Sequence, residues 1–190
     1  MKINQIFISK KGWKLVADSI EILEAKEKTN DREFFLNKVK ENPSLIEWAN
    51  SEIKDDKEVV LNAVKVDGGA LEFASDRLKD DKDVILASVK QAGWTCCYAS
   101  DRLKSDKEVL IEAAKVDGQV LYFASLDLRD DKDVVLTAVS NKPLIFKYAS
   151  LRLRRDKDII IAALKKNKSA VLDFIEPELL EDEEIKELLN

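Results

Sequence analysis

The stretch Asp81 to Ser105, DKDVILASVKQAGWTCCYASDRLKS, decides the fold. Near-copies open at Asp56, Asp106, Asp131 and Asp156, with a looser one at Asp31, so the chain repeats every 25 residues. A chain of this kind is a stack of one small unit, in which each copy buries a face against its neighbours. Counting Asp81 as position 1, positions 4, 5, 6, 8 and 9 are Val84, Ile85, Leu86, Ser88 and Val89, one wide stripe of a helix. Asp55, Asp80, Ser105 and Asp130 read as its N-caps, each followed three residues later by Glu58, Asp83, Glu108 or Asp133, and Ser105 with Glu108 makes a capping box. Arg155 interrupts that series, so Asp156 is the expected cap there. Gly68, Gly93 and Gly118 end the helix, where glycine accepts a left-handed conformation; Pro43, Pro143 and Asn167-Lys168 serve in other copies.

A shorter helix follows in each copy. Leu71, Phe73 and Ala74 recur as Cys96, Tyr98 and Ala99, as Leu121, Phe123 and Ala124, and as Phe146, Tyr148 and Ala149. The ring fills space between units and the alanine permits close helix approach. Ser75, Ser100, Ser125 and Ser150 then cap a short turn that carries Leu78, Leu103, Leu128 or Leu153. The expected fold is an all-α solenoid of tandem 25-residue two-helix repeats, starting near 31, 56, 81, 106, 131 and 156 and running to 181. Residues 1–30 hold an N-terminal capping helix with Trp13, Val16, Ala17, Ile20 and Leu23 at helical spacing, and residues 182–190 form an acidic C-terminal cap.

The motif D-K-[DE]-V-V-L-x-A-V-K-x-x-G-x-A-L-x-[FY]-A-S-x-x-L-[KR]-x over residues 31–181 resembles the bacterial tandem repeats called domain of unknown function 4116. The resemblance implies a helical module for protein contacts, of a kind found in bacterial proteins, some secreted effectors among them, and in some large viruses. It implies no catalytic residue.

Composition narrows the chemistry. The chain of 190 residues has no histidine, which removes the commonest general base near neutral pH and the commonest metal ligand. The carboxylates sit at repeating cap positions and no phosphate-binding glycine loop is present, so no catalytic residue, no metal ligand and no cofactor is expected. Net charge is −5, with the excess in residues 166–190, which carry three basic and eight acidic side chains. The repeats are balanced, which argues against a general nucleic-acid face. Cys96 and Cys97 are adjacent, a spacing unsuited to a structural disulfide, and Cys96 falls at a packing position. Reduced thiols fit a cytoplasmic setting, with delivery into another cell by a signal-independent route as a variant. No apolar run is long enough to span a bilayer, and the start MKINQIFISKKGWKL lacks the apolar region of a secretory signal. The lysines Lys57, Lys82, Lys107, Lys132 and Lys157 each stand between two acids and read as a solvated face.

Function is expected where equivalent positions vary. Position 14 reads Gly69, Trp94, Gln119, Leu144; position 17 reads Glu72, Cys97, Tyr122, Lys147; position 21 reads Asp76, Asp101, Leu126, Leu151. Trp94, Tyr122, Leu126, Leu144, Lys147 and Leu151, with the basic run Arg152, Arg154 and Arg155, are the candidate partner-binding residues. The reading is a non-enzymatic protein-binding module, an inhibitor or effector that blocks another protein. The alternative is a nucleic-acid-linked role through Arg152–Arg155, or through acidic mimicry of a phosphate backbone.

Overall fold

The structure is a computed structural model that describes residues 10–189. The described residues form an all-α solenoid without strands. Each unit holds three helical pieces rather than two. A ten-residue α-helix comes first (Lys57–Val66, Lys82–Gln91, Lys107–Val116, Lys132–Asn141, Lys157–Lys166). A 3₁₀ segment follows (Pro43–Trp48, Gly68–Phe73, Gly93–Tyr98, Gly118–Tyr122, Pro143–Tyr148). Last is a single α-turn (Ser51–Lys54, Asp76–Lys79, Asp101–Lys104, Leu126–Arg129, Leu151–Arg154). Ser75, Ser100, Ser125 and Ser150 cap those turns, as their place in the repeat predicts. The apolar stripe faces the core; in the quoted copy Val84, Ile85, Ser88 and Val89 are fully covered and Leu86 is half-buried.

Two local expectations are corrected. The helix N-cap lies one residue later in four copies, at Asp56, Asp81, Asp106 and Asp131, while Asp156 caps the last as expected; each accepts two backbone N–H bonds. Asp55, Asp80, Ser105 and Asp130 instead end the preceding turn. The Ser105 hydroxyl donates to the Asp101 carbonyl, so no capping box forms with Glu108. No described glycine has a positive φ. Glycine is needed there for close approach: a Cβ on Gly68 would stand 2.5 Å from the Ser88 carbonyl oxygen, and those on Gly93 and Gly118 would stand closer still to the Ala113 and Ala138 carbonyls.

Two polar systems tie each unit to the next. In the first, Lys57 bridges Asp81 and Asp83, Lys82 bridges Asp106 and Glu108, Lys107 bridges Asp131 and Asp133, Lys132 bridges Asp156 and Asp158, and Lys157 bridges Asp182 and Glu184. The lysines thus pair with the acids of the following unit. Such solvent-screened pairs each add little stability, so they fix register more than they hold the fold together. The second is a latch. Asp55, Asp80 and Asp130 accept from Ser75, Ser100 and Ser150, and from Arg77, Arg102 and Arg152, of the next unit. Alongside, the backbone N–H groups of those serines bond to Lys54, Lys79 and Arg129 carbonyls. The junction between 81–105 and 106–130 lacks the latch among the described residues. Ser105 stands in place of the aspartate and Asp127 in place of the arginine, and Arg129 turns instead to the Tyr122 and Ala124 carbonyls.

At the N-terminal end, the helix Lys10–Glu27 lies against Pro43–Trp48. Ala25 is buried, Glu21 pairs with Lys38 and bonds to Asn42, and the Lys26 ammonium sits 4.0 Å from the Trp48 ring centre. The stripe expected from spacing is displaced, since Ile20 and Leu23 are exposed. The side chains of Trp13, Val16 and Ala17 lie outside the described residues. At the other end, Asp182 accepts from the Glu184 and Ile185 backbones as the repeat aspartates do, and Ile185 is buried. The acidic run therefore begins one more first helix, Glu183–Leu189, and receives the last lysine of the ladder.

The aspartate pKa values give a pH prediction. At Asp81, Asp106, Asp131 and Asp156 burial alone would push the carboxyl up, but the lysine bond and two helix N–H groups outweigh it, so each is held below the usual range. The serine hydroxyl and then the arginine do the same at Asp55, Asp80 and Asp130. A carboxylate depressed in the folded state stabilises fully above its unfolded value, about 3.9, and that stabilisation is lost as pH falls through the folded value. The urea midpoint should stay level from about pH 7 to 5 and fall steeply below about pH 4. A midpoint unchanged down to about pH 2.5 would contradict this linkage.

Candidate functional site

The repeat dictates which residues can form a site. Positions whose side chains must pack stay apolar or small in the copies from 56 to 155, and the 3₁₀ segment with its following α-turn carries the exposed positions that change in character. On this face the nine predicted residues separate into groups. Tyr122 is 55% exposed, and its ring stands edge-on to Phe123 and to Tyr148, with centres 5.3 Å away in both cases. Leu144 is exposed beside it, and the Lys147 ammonium lies 5.1 Å from the Tyr148 ring centre and 5.9 Å from that of Phe174. These residues border two adjoining hollows. One, of about 310 Å³, is lined by Gln119, Tyr122, Phe123, Ile145 and Tyr148. The other, of about 200 Å³, is lined by Gln119, Lys142, Leu144, Ile145, Lys147 and Tyr148.

The remaining candidates lie apart from this groove. Trp94 is exposed, stacks edge-on to Tyr98 at 5.8 Å, and lies over Gly69, where a Cβ would meet the indole at 3.7 Å. Leu126, 80% exposed, lines neither hollow. Leu151, Arg152, Arg155 and Glu176 surround a separate depression. The basic run is spent internally: Arg152 pairs with Asp130 at 3.1 Å and Arg155 with Glu176 at 2.6 Å, while Arg154 is half-buried. Glu176 raises the pKa of Arg155 further and is itself held low by it.

Phe123, Ile145, Tyr148, Gln119 and Lys142 belong to the groove and were missing from the sequence-derived set. Phe123 and Tyr148 sit at the aromatic position that reads as inter-unit filler. Phe123 emerges because its 3₁₀ segment ends one residue early, at Tyr122, leaving Phe123 as the cap. Ile145 is buried and forms the floor. Lys142 carried a signal, since position 12 reads Asp67, Ala92, Asp117, Lys142.

The cysteines offer no reactive centre. Cys96 is fully buried at the packing position, and burial pushes its thiol up to about 12; burial also raises Cys97. Among the described residues no cluster of three or more cysteines and carboxylates is placed to hold a metal ion, and no helix is long and apolar enough to cross a membrane.

A family model described as "Domain of unknown function (DUF4116)" matches the chain four times in tandem, at residues 31–79, 56–97, 81–129 and 131–180. No curated protein and no solved structure matches it.

Proposed function

Because this chain belongs to the DUF4116 family of tandem repeats, we propose that it works as a non-enzymatic protein-binding module whose 3₁₀ face takes a partner protein. One observation carries the reading. Most ladder and latch charges are spent on neighbouring units, whereas Tyr122 and Leu144, at positions that differ between copies, join Phe123 and Tyr148, at the recurrent aromatic position, in an apolar and aromatic groove. Tyrosine is a favoured anchor of protein interfaces because it buries a large rigid surface at low entropy cost. Occupying a face of this kind would block a partner's own working surface, as an inhibitor or effector does. The nucleic-acid alternative has less support, since Arg152 and Arg155 are already paired and Asp182 and Glu184 serve as rungs for Lys157.

The test is a photo-crosslinking phenylalanine analogue placed at Tyr122 or, as a control, at Lys90 on an exposed helix surface, irradiated in nuclease-treated lysate. A discrete protein crosslinked from 122 and not from 90 is expected. Tyr122→Ala should change folding stability by less than about 1 kcal/mol and reduce capture at least about tenfold. Equal crosslinking from both positions would sink the reading.

A further inference from the structure

The partner's chemistry follows from how charge is graded along the binding face. At two of the varying positions, rows that start with an acid in the copy at 56 reach lysine in the copy at 131. Position 12 runs Asp67, Ala92, Asp117, Lys142, and position 17 runs Glu72, Cys97, Tyr122, Lys147. At position 21, Asp76 and Asp101 give way to Leu126 and Leu151. The groove therefore lies where the face has turned apolar and basic. Its lining contains Lys142 and Lys147 and no carboxylate. Among the described residues neither lysine is in an ion pair, whereas the five ladder lysines each hold two carboxylates. The Lys147 ammonium stands near the rings of Tyr148 and Phe174. The Asp117 carboxylate accepts the Gln119 N–H at 2.9 Å and is not part of the lining.

We infer that the groove of Tyr122, Phe123, Leu144 and Tyr148 receives an acidic segment of a partner protein, carrying large apolar side chains into the two hollows and carboxylates to Lys142 and Lys147. This rests on the protein-binding reading above and deepens it. Two side-chain-sized hollows that share Gln119, Ile145 and Tyr148 suit consecutive anchors of an extended segment. Cations beside an aromatic groove then select acidic partners and repel basic ones, which sets specificity and association rate.

The experiment is selection from a random twelve-residue peptide display library on the full chain, followed by fluorescence anisotropy with the enriched peptides. Enriched peptides should combine aromatic or large aliphatic residues with flanking Asp or Glu. The double variant Lys142→Glu/Lys147→Glu should bind them at least about tenfold more weakly, with an unchanged melting temperature, and about 0.5 M salt should weaken the parent in the same direction. Enriched peptides that are neutral or basic, or that bind the double variant as well as the parent, overturn the acidic-partner inference and leave the protein-binding reading standing. No enrichment of any peptide, or binding that ignores both Tyr122→Ala and Leu144→Ala, overturns both.

Discussion

Phe146→Ala should lower folding stability by about 3–5 kcal/mol, the largest single loss expected on the 3₁₀ face. Phe146 is fully buried and among the largest side chains with no exposed surface. It holds the packing position that Leu71, Cys96 and Leu121 hold in other copies, so the space it fills lies between one unit and the next. Truncation removes a ring's transfer free energy and leaves a cavity that the flanking helices cannot fully close. Domains are stable by only about 5–15 kcal/mol, so this is a large fraction of the whole. Because each unit touches only its neighbours, the loss also uncouples the two sides of the damaged junction. Urea unfolding followed by circular dichroism should show an earlier and broader transition. A shift no larger than that of Tyr122→Ala, in the preceding 3₁₀ segment, would show that Phe146 is not a packing residue.

Gly118→Ala is expected to destabilise by about 1–3 kcal/mol, against the usual sign for glycine removal. At an unstrained site the change to alanine stabilises by about 0.4–1 kcal/mol through the unfolded chain. Here φ is negative, so nothing conformational opposes the alanine. The obstacle is steric. Its Cβ would overlap the Ala138 carbonyl oxygen and come within 3.0 Å of the Lys142 backbone nitrogen, and both are backbone atoms of the following unit. That carbonyl already accepts the Lys142 N–H, and the Asn141 side chain stitches the same junction by accepting from the Gly118 N–H and donating to the Lys115 carbonyl. The helix end cannot retreat without loosening these bonds. Junctions that carry Pro43 or Pro143 at this place accommodate a Cβ, so the close approach belongs to the glycine copies. Denaturation midpoints of Gly118→Ala and the parent settle the matter; a more stable variant would show that the interface yields freely.

What the sequence discloses is set by how local each feature is. The period, the buried stripe, the serine caps and the packing role of Cys96 depend on near neighbours in the chain and recur often enough to be read. The helix start was misplaced by one residue because Asp55-Asp56 and its counterparts offer two good caps side by side. Only Arg155, leaving Asp156 alone, betrays which one serves. Glycine's role was misread because a helix end and a tight interface ask for the same residue. The lysine ladder needs the phase of the stack: Lys82 has Asp81 and Asp83 beside it in sequence, yet it pairs with Asp106 and Glu108. Of the groove, the residues at unequal positions were found, Tyr122, Leu144 and Lys147. Tyr148 and Phe123 hid in an aromatic position common to all copies, and the exposure of Phe123 turns on one 3₁₀ residue. The partners of Arg152 and Arg155 were not legible because their carboxylates, Asp130 and Glu176, lie 22 and 21 residues away in adjacent units.

The missing latch at Ser105 and Asp127 has a mechanical consequence. Under tension along the stack, load passes from unit to unit through helix packing, the lysine rungs and the latches, in parallel at each junction. Three junctions carry the aspartate latch, one at each of Asp55, Asp80 and Asp130, and the joint between 81–105 and 106–130 bears the same load with fewer fasteners. It is the compliant joint of the rod. A partner seated on the groove holds the two units 106–155, so a pull toward the N-terminal units is transmitted through that joint, beside the binding face itself.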